Sequence, residues 1–253
     1  MTDGSGAYGQ IYAELNAAWA IAKKDIAIYY FKPNIIVSGA LFPLFMFLAF
    51  AAGKSAGQSV MIPGLIAITI LFSASSIEPV SIPIERRMKT FDRLISAPVS
   101  LHAVVLGESL SGFLYSMCIA IVPLIAGLLI FGTPVVSVAP LIAGIILTSF
   151  CFATMGTLFA AYPTESPGDI MSMLNLVRLP LIFISGVFIP IEAIPSIGQS
   201  AAYFSPLTYG NDLIQAAYHR HTYFDPLLDI AMLCIFILIF QIFANQLYRK
   251  WNE

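Results

Sequence analysis

Six stretches of the chain are almost continuously apolar, at 34–52, 60–82, 101–131, 135–161, 168–189 and 227–248. A helix crosses about 30 Å of hydrocarbon with about 20 mostly apolar residues, so the pattern predicts six transmembrane helices in an all-α, polytopic membrane protein. The third stretch is long enough to tilt or to break at Pro123. Pro63, Pro79, Pro140 and Pro180 fall where neighbouring helices can satisfy the carbonyls a proline leaves free. Ahead of the first span, Ile11, Leu15, Trp19, Ala22, Ile26 and Tyr29 recur at helical spacing, with Asn16, Lys23 and Lys24 turned away. That periodicity predicts an amphipathic helix, lying in the interface or packed on the bundle surface. Between the last two spans, residues 185–215 are apolar enough to enter a membrane. Pro190, Pro195, Pro206 and Gly198 interrupt the run too often for one crossing helix, which predicts a pair of short re-entrant or interfacial helices.

Composition supports the membrane assignment. Charged residues make up 10% of the chain and apolar ones 58%, and the mean hydropathy is +0.86, whereas soluble domains carry about 25% charge. The net charge of -2 gives no case for a nucleic-acid partner. Residues 1–30 lack the pattern of a cleaved signal, so no trimming is expected. Lys23, Lys24, Lys32, Arg86, Arg87, Lys89, Arg93, Arg249 and Lys250 fall on one side of the predicted spans and only Lys54 and Arg220 on the other. The positive-inside bias then puts both termini in the cytoplasm. The expected division is a cytoplasmic amphipathic segment, 1–33, followed by a six-span unit, 34–253.

Glu85, Arg86, Arg87, Lys89, Asp92 and Arg93 crowd into "ERRMKTFDRLISAPVS", residues 85–100, between long apolar runs. Here Ile84, Met88, Phe91, Leu94 and Ile95 share one helical face and Arg86, Lys89 and Arg93 occupy the rest, with Pro98 as a stop. An interfacial anchor and a docking surface for a cytosolic partner both fit this amphipathic pattern.

Two motifs in this order resemble the ABC-2 type transporter permeases, the membrane subunits of ATP-binding-cassette exporters of the daunorubicin-resistance and nodulation-factor export kind. The first is the charged segment ending in "LISAPVS", similar to the family's L-x-S-x-P-V-S. The second is "LPLIFISGVFIPIEAIPSIGQSAAYFSPLTYGNDLIQ", residues 179–215, similar to SG-x-F-x-P followed by P-L-T-Y-x-x-D. One departure is "MKTF", where the family usually has glycine-threonine-leucine. The resemblance implies that Glu85, Arg86, Arg87, Met88, Lys89, Phe91, Asp92, Arg93 and Leu94 form a coupling helix that docks a separate cytosolic ATPase subunit. It further implies a homodimer in the plasma membrane, in contact with lipids, that exports an amphiphilic or hydrophobic substrate such as a drug, lipid, glycolipid or polysaccharide. Phe188, Pro190, Tyr203, Phe204, Pro206 and Tyr209 would form an outer gate. ATP and magnesium belong to the partner, so this chain binds no cofactor.

Several residues carry other chemistry or exclude it. "AAGKS" at 51–55 lacks the leading glycine of a phosphate-binding loop, which would fall at Leu48. Cys118, Cys151 and Cys234 have neither CxxC nor metal spacing, and "HRH" at 219–221 is a weak metal signal, so no metal site is expected. No catalytic set stands out, which argues against an enzyme. Arg178 falls within the fifth span at a cost of about 2.5–3.5 kcal/mol, and Glu78 and Glu108 are the intramembrane acids available to pair with it. A path-lining role for Arg178 is the alternative. Ala153, Gly156, Thr157 and Ala160 form a row of small residues suited to close helix packing. A secondary transporter or channel without an ATPase remains the competing function, with an intramembrane enzyme behind it.

Overall fold

A computed structural model describes residues 4–45, 48, 62–218 and 222–252. Among these every regular element is helical. Helix α1, Gly4–Tyr29, is followed by a short helix α2, Pro33–Ile36, that widens into a π-helical turn at Val37–Leu41. Most of the expected first span, the start of the second, the "AAGKS" stretch and the "HRH" triplet lie outside the described residues. The rest comprises α3 (Ile62–Ala74), α4 (Glu78–Arg87), α5 (Thr90–Ile95), α6 (Leu101–Leu129), α7 (Val138–Ala160), α8 (Pro167–Ile184), α9 (Ser196–Ala202), α10 (Pro206–Ala216) and α11 (Pro226–Asn252).

Five helical segments among the described residues are long and apolar enough to cross a membrane: α3 with α4 as one span, then α6, α7, α8 and α11. The α3–α4 span is the hub. All of α3 is buried, and α6, α7, α8 and α10 pack around it. Its side chains have no polar stripe to give up, so it can be enclosed on every side. By contrast α8 and α11 are mostly open to the surroundings.

Helix ends follow local chemistry. Ser100 caps α6 by accepting from the Ala103 N–H at 3.1 Å. Prolines open α8 and α10 within their first turns, where a missing N–H costs nothing. Pro123 and Pro180 sit inside helices that continue past them, so α6 runs unbroken where a break at Pro123 was an alternative. The break falls in the second span, at residues 75–77 between α3 and α4, just before Pro79.

Helix α1 lies against α6. Its packed face consists of Ala18, Ile21, Ala22, Asp25 and Tyr29, whereas Ile11, Leu15 and Trp19 of the expected stripe are exposed. The stripe therefore splits between a packed second half and an apolar first half open to the surroundings. Lys24, expected to turn away with Lys23, is drawn into a buried acidic cluster instead.

Candidate coupling site

The segment at 85–100 is built from two helices and a sharp turn. Helix α4 carries the second span on through Arg87. Lys89 then takes a left-handed conformation, φ 57°, before α5 begins at Thr90. A bulky residue at such a φ is strained by about 1–2 kcal/mol relative to its right-handed form, and Lys89 stands where "MKTF" departs from the glycine of the resembled family. The Thr90 hydroxyl donates back to the Glu85 carbonyl at 3.2 Å, closing the corner. The helix ends at Ile95, three residues before Pro98, with Ser96 as its last-turn cap.

The corner sorts its side chains into two sets. Arg87, Met88, Lys89, Asp92 and Arg93 are exposed, and Lys89 forms an ion pair with Glu165 at 3.7 Å. Glu85 and Phe91 are buried, and Arg86 and Leu94 are half-buried. All of these were expected on one docking helix; the second set makes the contacts that fasten the corner to the bundle.

Neighbouring residues Glu85 and Arg86 reach to opposite sides. Glu85 Oε1 accepts from Lys24 Nζ at 2.6 Å and from the Tyr29 hydroxyl at 3.3 Å, which ties the corner to α1. The Arg86 guanidinium donates to the carbonyls of Ala161, at 3.2 Å, and Tyr162. Those are orphan carbonyls at the C-terminus of α7, and a cation there also meets the negative end of the helix dipole. Arg86 further lies 5.3 Å over the ring of Phe91. Phe91 packs on Tyr248 of α11 at 5.9 Å, and the Tyr248 hydroxyl donates to the Thr157 carbonyl of α7 at 3.3 Å. One corner is thus joined to α1, α7 and α11 besides the two helices that flank it.

Lys24 is the centre of the α1 contact. Its ammonium stands 3.1 Å from Asp25 and 3.6 Å from Glu108 of α6, beyond the 2.6 Å bond to Glu85. Burial alone would lower the Lys24 pKa, but Glu108, Asp25 and Glu85 outweigh it and hold the amine charged. For Asp25 burial wins instead: it pushes the carboxyl up to about 6 and favours the neutral form, with Lys24 and Glu108 pulling it back and Glu85 adding to the rise. Removal of the carboxyl from water is the main source of that rise, and repulsion from Glu85 adds to it.

The intramembrane charges are placed differently from the expected ion pair. Among the described residues Arg178 has no carboxylate within 4 Å. Its guanidinium donates to the Ser75 hydroxyl, from Nε at 3.0 Å and from Nη2 at 2.7 Å, and to the Ser75 carbonyl, with longer bonds to the Ser76 hydroxyl at 3.2 Å and Asn175 Oδ1 at 3.4 Å. It also stacks 5.1 Å over Phe72. The reason lies in Pro79. A proline cannot donate to the carbonyl four residues before it, so the Ser75 carbonyl is the group Pro79 leaves free, and Arg178 supplies the missing donor. Glu78 sits just past this break. Its Oε1 accepts from the Gly112 N–H at 3.0 Å. A Cβ on Gly112 would come within 2.3 Å of Glu78 Oε1 and one on Gly156 within 2.8 Å of Oε2, so only glycine at both places leaves room for the carboxyl.

At the far end of the bundle, Phe188, Pro206 and Tyr209 are buried, and Pro190, Tyr203 and Phe204 are exposed. The Tyr209 hydroxyl donates to the Tyr203 carbonyl at 2.7 Å, and both rings pack on Phe224 at 5.2 Å. Tyr203, Phe204 and Tyr209 border one apolar recess, while Phe188 turns away to Phe183 at 6.3 Å. Sequence reasoning missed Asp25, Ser75, Phe224 and Tyr248. Asp25 did leave a signal: at helical spacing it shares a face with Ala18, Ala22 and Tyr29, a polar residue in a core position.

A model of the ABC-2 type transporter family matches residues 16–219, which include the corner, the Arg178 site and the short-helix pair. The chain belongs to the ABC-2 type transporter family. Two relatives share its sequence over 104 residues: Nodulation protein J of Rhizobium leguminosarum bv. trifolii, 32% identical, and Nodulation protein J of Rhizobium leguminosarum bv. viciae, 29% identical. Those alignments cover 41% of this chain and about two fifths of each relative, 39% and 40%. The family and the apolar helices make this chain a membrane subunit of a transporter.

Proposed function

We propose that this chain is the permease of an ATP-driven exporter, taking its energy from a separate cytosolic ATPase that docks on the exposed residues of the 85–100 corner. The carrying observation is the division of that corner: Arg87, Met88, Asp92 and Arg93 face outward while Glu85, Arg86 and Phe91 fasten it to three other helices. A docking surface moves a transporter only if it is held rigidly by what it must move, and the contacts of Glu85, Arg86 and Phe91 support that reading. The finer features belong to the same reading. The segment from Pro33 onward completes a sixth span, α1 rests at the cytoplasmic interface, and α9 with α10 forms the re-entrant pair bearing the gate of Phe188, Pro190, Tyr203, Phe204, Pro206 and Tyr209. Two copies pair through apolar surface left open on the bundle, in the plasma membrane with both termini inside. The substrate is amphiphilic or hydrophobic, and nucleotide and magnesium are bound by the partner.

The test is affinity purification of the detergent-solubilised wild type and of an Arg87→Glu, Arg93→Glu double variant, with assay of co-purified vanadate-sensitive ATPase. Both side chains are exposed, so the variant is expected to fold. Recovery of an ATPase with wild type and its loss in the variant supports the docking face. A folded wild type that brings down no ATPase overturns the reading in favour of transport without one.

A further inference from the structure

Helix α1 meets α6 and the coupling corner over a buried group of charges that does not balance. Gly107 sets the approach, since a Cβ there would come within 2.7 Å of the Ala18 carbonyl. Beside it Asp25, 0% exposed, and Glu108, 1% exposed, face each other and the Glu85 of the corner. Among the described residues Lys24 is the one cation within 4 Å of any of the three, its Nζ lying 2.6 Å from Glu85, 3.1 Å from Asp25 and 3.6 Å from Glu108. Full ionisation would set three carboxylates against one ammonium, an excess of negative charge that a buried site of low dielectric opposes.

Hydrogen bonding narrows the remedy. Glu85 is answered by Lys24 and the Tyr29 hydroxyl. Apart from Lys24, no donor among the described residues reaches Asp25 or Glu108. What lies within reach of each is the other carboxyl, and two carboxyls bond only when one keeps a proton, because ionised oxygens accept and never donate. Around the pair stand Lys24, Tyr29 and Tyr30 of α1, Glu78 and Glu85 of α4 and Tyr248 of α11. The phenols among them are neutral below about pH 10, so Lys24 alone opposes the carboxylates. We propose that Asp25 and Glu108 form a protonation site, one proton held between the two carboxyls, which fastens α1 to α6 beside the coupling corner. With the proton in place the pair carries a single negative charge, and Lys24 is shared between it and Glu85. Removing the proton sets two adjacent carboxylates against each other and pushes α1 away from the corner. Burial holds the Asp25 proton only up to about 6, so at about pH 7 one proton is left for the pair, where free carboxyls have lost theirs. The site is built from α1, α4 and α6 alone and stands whether or not an ATPase docks.

The experiment is infrared spectroscopy of the purified full chain in detergent at about pH 7, reading the carbonyl band of protonated carboxylic acids. Wild type is compared with Asp25→Asn, Glu108→Gln and the double variant, each amide close in shape to the acid it replaces. The expected result is loss of one carboxyl's intensity in either single variant and no further loss in the double, because the remaining acid ionises beside Lys24 once an amide donates to it. No loss in any variant means that both carboxyls are ionised, loss in one single variant alone means that the proton belongs to one acid, and additive losses mean two independent acids; each overturns the proposal. A second measurement needs no buried substitution. With Cys118, Cys151 and Cys234 replaced, spin labels on cysteines at the exposed Ala20 and Ser96 should move apart reversibly as the pH is raised from about 7 to about 10. An unchanged distance overturns the fastening role, even if the buried variants fail to fold.

Discussion

Two single residues hold conformations that their neighbours dictate. Lys89 bridges α4 and α5 with φ 57°, a region that glycine enters freely and a long side chain enters at a cost. Its surface ion pair with Glu165, 3.7 Å between two exposed groups, offsets little of that. Replacing Lys89 by Gly is therefore expected to stabilise the protein by up to about 1 kcal/mol, seen as a raised thermal midpoint, while Lys89→Val should lower it. Equal midpoints for all three would mean that the turn carries no strain. Arg178 shows the reverse economy, a buried cation kept because Pro79 frees the Ser75 carbonyl it binds. Both facts were half-legible in the chain. The proline and the lone arginine stand out in the sequence, but that they meet across 103 positions is a matter of helix packing, and counting charges pointed to Glu78 and Glu108 instead.

At the scale of elements, the coupling corner is a junction, and two outcomes follow from how it is fastened. Arg86 caps α7 and leaves the exposed residues of the corner untouched, so under the proposed docking Arg86→Ala should bind an ATPase as wild type does yet lower transport per ATP hydrolysed. A loss of about tenfold corresponds to a coupling of about 1.4 kcal/mol; an unchanged ratio would show that α7 does not follow the corner. The second outcome concerns α1. Asp25 titrates near 3.8 as a free group and at about 6 in the fold, so between those values the folded protein holds a proton the unfolded chain has lost. Stability should accordingly fall as pH rises from about 4 to about 6 and level off above, because folding is linked to proton uptake in that window. Asp25→Asn should flatten that slope in thermal unfolding scans; a wild-type midpoint that rises over the same range would contradict the assigned direction. The elements themselves were plain in the hydropathy pattern because long apolar runs admit little besides helices. Their junctions were not. The amphipathic stripe through 84–95 predicted one helix, whereas the left-handed Lys89 divides it, and no periodicity records a single reversed φ. Likewise Lys23 and Lys24 look alike in sequence, and only the arrival of Glu85 and Glu108 at one of them separates their roles.

For the whole molecule, the central question is which end faces the cytosol, since the proposed docking and export both depend on it. Residues 85–100, the 161–166 connection and the last turn of α11 gather at one end through Arg86, Lys89 and Phe91. The 131–137 connection gathers with the end of α10 at the other, where the N–H groups of Val136 and Ser137 donate to the Ala217 carbonyl at 2.9 and 3.0 Å. The cationic residues Arg86, Arg87, Lys89, Arg93, Arg249 and Lys250 all belong to the first end, and positive charge resists translocation. With Cys118, Cys151 and Cys234 replaced by Ser or Ala, single cysteines introduced at Ser96 and Glu165 should react with a membrane-impermeant thiol reagent only in inside-out vesicles. Cysteines at Val136 and Phe204 should react only in intact cells. All four chosen sites are half-exposed or exposed in the fold, so labelling reports the side of the membrane rather than burial. The reverse pattern would place the coupling corner outside, where no ATP-driven partner can reach it, and the permease reading would fail with it. Mixed labelling of 96 and 165 would break the junction itself, because the Lys89–Glu165 and Arg86–Tyr162 contacts require both segments on one side.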